Sequence, residues 1–186
     1  MHMNRVLEKD LYRYEGERSK NFWIRLKYIL FIPSFTYIYF FRKAQHTKIS
    51  LVRIMYVIVL RLISYVTHIQ IPYQTKIGEG FHILHFGTIV VSPYAQMGIN
   101  FSISPGVVIG GSLGKKEGYP VIGSNVCVRA NAIIIGGCKI GNNVLIAPGA
   151  FVNFDVPDNS IVIGNPGRII LRQDSPTAKY IIYPIV

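Results

Sequence analysis

Cysteine is scarce in this chain, with Cys127 and Cys138 the only two among 186 residues. Two thiols are too few for a disulfide scaffold, and both fall inside a regular repeat. They read as reduced core residues of a cytosolic protein. Charge is thin as well, 16% of residues against 50% hydrophobic. That balance excludes a disordered chain and points to apolar surface covered by other copies or by a membrane. The first ten residues, Met1 to Asp10, lack the apolar core and small-residue cleavage site of a secretory signal. No apolar run reaches the about 20 residues of a membrane-spanning helix. Tyr28 to Phe41 is too short and contains Pro33, and Leu51 to Ser64 contains Arg53 and Arg61. Nothing resembles a zinc finger, a ribonucleoprotein motif or a recognition helix, so nucleic acid is not expected as a partner.

Acid is scarcer than base, 9 residues against 20, for a net charge of +11. Residues 1–70 hold twelve Lys/Arg and four Asp/Glu (+8), and residues 71–186 hold eight and five (+3). A basic, aromatic-rich front third suits an anionic partner. Helices lying at a lipid surface fit it. So do helices packed on the main domain with Arg and Lys reaching outward.

What the sequence has in abundance is a count of six. Ile71, Ile77, Ile83, Ile89, Ala95, Phe101 and Val107 are evenly spaced and apolar; the series resumes at Ile122, Val128, Ile134, Ile140, Ile146 and Val152. A second series, mostly small or apolar, follows four residues behind each member. An amphipathic helix repeats near 3.6 and an alternating strand at 2, so neither explains six. Hexapeptide repeats are the signature of a parallel β-helix, three hexads to a triangular coil. Gly78, Gly123 and Gly141 directly follow aliphatic residues, where the chain turns a corner with little room. Val156 to Ser160, with its proline, is expected to end the regular coils. The spacing from Val107 to Ile122 breaks the count and contains Gly110-Gly-Ser-Leu-Gly-Lys-Lys-Glu-Gly-Tyr-Pro120. An excursion of that kind reads as a binding loop. The organisation expected is a helical region over 1–69, a β-helix over 70–170 and a tail over 171–186 without functional signal.

Lys76-Ile-Gly-Glu-Gly80, His85-Phe-Gly-Thr-Ile-Val-Val91, Val107-Val-Ile-Gly-Gly111, Pro120-Val-Ile-Gly123 and Gly164-Asn-Pro-Gly-Arg-Ile-Ile170 resemble serine O-acetyltransferases in order and spacing. They look still more like bacterial O-acetyltransferases of capsule, exopolysaccharide and colanic acid synthesis. The resemblance implies a mainly β fold, a left-handed parallel β-helix of hexapeptide repeats with an N-terminal α-helical region. It implies acetyl-CoA as cosubstrate, no metal, and a homotrimer, with stacked trimers as an alternative. The cofactor groove would lie between coils of adjacent subunits.

Position by position, the resemblance makes His85 the general base. It sets Gly111, Ala130, Ala147 and Pro148 along the pantetheine channel and Arg168 near the CoA phosphates. Lys115 and Lys116 offer further counter-charge. A backbone N–H near Gly110 or Gly111 would meet the oxyanion. A neutral imidazole can take the hydroxyl proton, a contribution of about 10²–10⁴ in rate, and needs its second nitrogen held by an acceptor. Serine acetyltransferases carry Asp before the base and another fifteen residues earlier. Leu84 and Gln70 stand there, and Gly118-Tyr119 replaces an Arg-His pair. With His82, the residues Gln70, Leu84 and Tyr119 would line the acceptor side, and His82 also reads as packing.

An amino-acid acceptor needs charges that these positions do not supply. The expected acceptor is therefore a sugar hydroxyl in surface-polysaccharide synthesis, on a cytoplasmic enzyme with peripheral contact at the inner membrane face through residues 1–69. Serine or another small molecule is the alternative acceptor, and a non-catalytic scaffold the third reading. Carbonic anhydrases on this β-helix need two further histidines downstream; none of the five here (His2, His46, His68, His82, His85) follows residue 85.

Overall fold

The computed structural model describes residues 2–114 and 116–186, with side chains from Asn4 onward. Four helices come first: α1 (His2–Glu15), α2 (Phe22–Phe31), α3 (Pro33–His46) and α4 (Ser50–Thr67), with a 3-10 turn, Gly16–Lys20, after α1. Asn21 starts α2 by accepting from the N–H groups of Trp23 and Ile24. Pro33 opens α3, where its missing N–H costs nothing. His68 ends α4 in the left-handed conformation and hands the chain straight to the first strand.

Fifteen short strands follow, from β1 (Ile69–Gln70) to β15 (Arg168–Leu171). They stack into three sheets. The first is β1-β4-β7-β10-β13, the second β2-β5-β8-β11, and the third β3-β6-β9-β12-β14-β15. Among the described residues every pairing between these strands is parallel except β14 with β15. Three strands make one coil, and the aliphatic interior of successive coils is a single buried core.

The register corrects the counting of sixes in one place. Val91 stands opposite Ile109, Ile109 opposite Ile134 and Ile134 opposite Val152. Met97 faces Ile122, and Ile103 faces Val128. The strand-centre rank is therefore Ile71, Ile77, Ile83, then Val91, Met97, Ile103 and Ile109. Ile89, Ala95, Phe101 and Val107 belong two residues earlier: Ile89 pairs with Ile69, and Phe101 stacks on Phe81 at 6.0 Å. Two extra residues thus enter between Ile83 and Val91, in the corner that carries His85. Both ranks are apolar and buried, so a count of six fits either one. A second correction concerns the end of the coils. Ser160–Ile163 (β14) still pairs in parallel with β12, and antiparallel β15 then lies along its edge. Pro157 occupies a corner, where the ladder needs no N–H.

The third edge of the prism is built from two ladders. A Cβ on Gly78 would lie 2.6 Å from the backbone of Gly98, and Gly98, Gly123 and Gly141 are equally tight. Beside them Asn100, Asn125, Asn143 and Asn159, all at positive φ, pass side-chain amide bonds of 2.9–3.0 Å from coil to coil. The tail is clamped to this edge. Thr177 donates to the Asn125 carbonyl, and Asn100 exchanges two hydrogen bonds with Ile185.

The helices close the open end of the first coil. The Tyr37 hydroxyl donates to the Ile71 carbonyl and accepts the Ile71 N–H. Tyr14 does the same at Ile83. Arg42 donates to the carbonyls of Ile77 and Gly78, and Asp10 accepts the Phe81 N–H. Arg42 and Asp10 are paired at 2.7 Å, both fully buried. Burial pushes the Asp10 carboxyl up, and the Arg42 guanidinium pulls it back. Removing one partner strands the other without solvent. Arg42→Met is expected to lose about 3–5 kcal/mol, read as a shift of the urea midpoint at unchanged slope; a loss within about 0.5 kcal/mol of zero would refute the capping role.

Candidate active site

Most of the described residues singled out by sequence fall on two edges of the prism. The first edge joins the third sheet to the first. It carries His85 between β3 and β4, Pro105 between β6 and β7, Ala130 between β9 and β10, and Ala147-Pro148 between β12 and β13. Backbone bonds tie these corners together. Gly106 N–H donates to Thr88, Asn131 N–H to Pro105, and Gly149 N–H to Ala130, at 2.6–3.0 Å. Gly87 has φ +147°, and a Cβ there would meet the Pro105 ring at 3.1 Å. The His85 and Phe86 side chains project outward. Among the described residues the His85 imidazole makes no side-chain hydrogen bond. Gln70 also faces outward, on β1 opposite Val90 of the strand that follows His85. Leu84 is half-buried beside the base candidate.

The second edge, between the first and second sheets, carries the 110–120 excursion. Ser112 and Gly118 pair across its neck with two bonds of 3.1 Å. Tyr119 lies over Gly111, where a Cβ would sit 2.6 Å from the ring, and packs on Tyr94 at 4.7 Å. The Lys116 carbonyl accepts from Gly137, and its ammonium lies 2.7 Å from Asp155. Lys116 is thus already partnered by a carboxylate, and Lys115 lies outside the described residues. Gly110 ends β7 with open space where a Cβ would stand. Arg168 is exposed at the start of β15.

Within one chain, then, His85 and Gly110–Gly111 stand on opposite sides of the first sheet. One side of the triangle is about six residues, or roughly 20 Å of extended chain. The described site residues are not all gathered within one chain.

His82 lies behind His85, in the seam between α1 and β3. Its ring meets Tyr14 edge-on at 4.2 Å, and its Nδ1 is buried without a hydrogen-bond partner among the described residues. Burial, then the Arg13 guanidinium, then His85 pull its pKa down to about 3. Arg13 is itself held by the Gly80 carbonyl and Ser102. Sequence reasoning did not find this cluster, because Arg13 and Tyr14 are some seventy residues away. It also missed the asparagine ladder, although an Asn one or two residues ahead of four successive third-sheet strands was a legible signal.

Residues 119–153 match the bacterial transferase hexapeptide (six repeats) family model. The chain is 36% identical over 121 residues to a serine acetyltransferase of Synechococcus elongatus, covering 62% of this chain and 49% of the relative. It matches the structure of Neisseria gonorrhoeae serine acetyltransferase with a TM-score of 0.77 at 28% identity, over 96% of this chain and 70% of that one. A Brucella abortus serine acetyltransferase, solved in complex with coenzyme A, gives 0.74 at 27%, over 94% and 68%. The chain is similar to serine acetyltransferases. Its fold is the left-handed parallel β-helix with a helical N-terminal region. It spans about half the length of the curated relatives it matches. These likenesses lend no support to a closer kinship with capsule or colanic acid enzymes, which the motifs had suggested.

A His82 pKa of about 3, below the ordinary 6.5, means that the unfolded chain binds the extra proton first. Stability is therefore expected to fall as pH drops from 6.5 towards 3, and to be independent of this group above 6.5. His82→Phe should flatten that slope, and imidazole NMR should show one ring that stays neutral to about pH 4. A His82 titrating near 6.5 would contradict the seam.

Proposed function

We propose that this chain is an acetyl-CoA-dependent O-acetyltransferase with His85 as the base. The observation that carries it is a single outward imidazole on an apolar edge of a hexapeptide β-helix, at the position that matches the base of serine acetyltransferases. His85 takes the acceptor's hydroxyl proton, while the edge formed by Pro105, Ala130 and Pro148 offers apolar contact to a pantetheine arm. Gly110 leaves the backbone accessible at β7, and Arg168 supplies an exposed cation for phosphate. Because His85 and the 110–120 loop belong to different edges, the reading includes a homotrimer in which one copy's first edge meets its neighbour's loop. Coenzyme A in the similar Brucella abortus structure supports the cosubstrate.

For the acceptor, similarity supports serine first, since the relatives and solved structures above are serine acetyltransferases. A sugar hydroxyl is the second reading, and one observation favours it. Leu84, Gln70 and Gly118-Tyr119 provide no charge where the resemblance expects it, and an ammonium or carboxylate buried without a partner costs several kcal/mol.

Free thiol released from acetyl-CoA, measured with serine and with a panel of sugars, separates the readings. Saturable turnover with serine supports the first, and turnover with sugars alone supports the second. His85→Ala should lower either rate by about 10²–10⁴ at an unchanged melting temperature. No thiol release with any hydroxyl would leave a non-catalytic scaffold.

A further inference from the structure

We propose that the outer faces of α2 and α4 form a docking surface for an anionic lipid bilayer. This rests on the helices alone and is independent of the chemistry at His85.

The inner face of α4 is committed to the protein. Leu60 and Thr67 are buried, and Ile63 packs on the β-helix core. Leu51, Ile54, Ile58, Leu62 and Tyr65 recur at intervals of three or four, with Met55 beside Ile54, which places all six on one opposite face. Each is 55–71% exposed. Helix α2 has no buried residue, and Trp23 and Phe31 are more than 70% exposed. Both helices pack on α3. A soluble monomer rarely leaves so many large apolar side chains of two neighbouring helices open.

Charge selects the occupant. From Arg18 to Lys76 there are ten Lys/Arg and no Asp or Glu at all. On or beside these two helices, Arg25 pairs with Glu8 and Arg53 donates to the Thr47 carbonyl, while Lys27, Lys48 and Arg61 make no ion pair among the described residues. Pairing the face with a second copy would set like charges against each other, whereas an anionic headgroup layer neutralises them. Tryptophan and tyrosine beside basic residues also suit the headgroup level.

The geometry is that of a helix lying on the membrane. Helix α4 is long and apolar enough to span by composition, with 11% of it buried. However, it keeps Arg53 and Arg61, and its docked side leads directly through His68 into β1. One face belongs to protein and the other to lipid, which is the arrangement of an interfacial helix.

The test uses the full chain and flotation with vesicles of phosphatidylcholine, with and without about 30% phosphatidylglycerol. Binding to the anionic vesicles is expected to exceed binding to the neutral ones by about tenfold or more, and to weaken as salt rises from about 0.05 to 0.5 M. Ile58→Glu/Leu62→Glu should reduce it by a further order of magnitude, with circular dichroism and melting temperature unchanged. Three results would overturn the proposal. One is no binding to anionic vesicles, and another is equal binding to both kinds. The third is a double variant that keeps its vesicle binding but drops to a smaller oligomer by light scattering, which would make this face a contact between copies.

Discussion

A parallel β-helix has no coil beneath its first one, so that coil presents an unpaired row of N–H and C=O groups. Here the row is closed by side chains. Tyr37 serves the first sheet, Arg42 the second, and Asp10, Arg13 and Tyr14 the third. Each comes from a helix, so the helical region is the end cap of the solenoid, and its polar atoms are spent on backbone. The candidate site inherits its rigidity from this cap. Ile83, whose N–H and C=O are both held by Tyr14, lies two residues before His85. Losing the cap would loosen that corner before any other.

The fold was legible because hexad spacing is a direct consequence of three-sided coiling, and the buried ranks keep it for most of the chain. The shift of two residues after Ile83 was not legible. Ile89, Ala95 and Phe101 are as apolar as Val91, Met97 and Ile103, so composition cannot say which rank is the strand centre; only the hydrogen-bond register does. The helical cap was hidden for a different reason. Tyr14 and Arg42 look like ordinary polar residues until the open edge they serve is in place. The tail read as signal-free because its anchors bind one at a time, Thr177 and Ile185 to the asparagine edge and Ile181 against Cys127 and Leu145 of the third sheet.

The site was legible in its parts and not in its gathering. His85, Ala130 and Pro148 stand at the same rank of successive corners, each two residues after the strand centres Ile83, Val128 and Ile146. Spacing alone could place them on one edge. Gly110 and Gly111 stand across the first sheet, and no count along the chain reveals that separation. Lys116 shows the same limit for charge. In sequence it is a free cation in a flexible-looking loop, and in space its ammonium faces Asp155, thirty-nine residues on.

The insertion at the His85 corner explains why an imidazole fits there. In the later coils the corner after the third sheet is short, and its outward position is taken by Pro105, Ala130 or Pro148, small or rigid groups that add little reach. The first coil spends two more residues, and with Gly87 at φ +147° the chain bends back under Pro105. That detour carries His85 and Phe86 away from the prism while Thr88 rejoins the ladder through its bond from Gly106. A longer corner would normally be a soft one. Here it is bounded by Tyr14 on the Ile83 side and by β4 pairing on both flanks on the other. The extra length therefore gives the imidazole reach without giving up position, which is what the base role proposed for His85 would require.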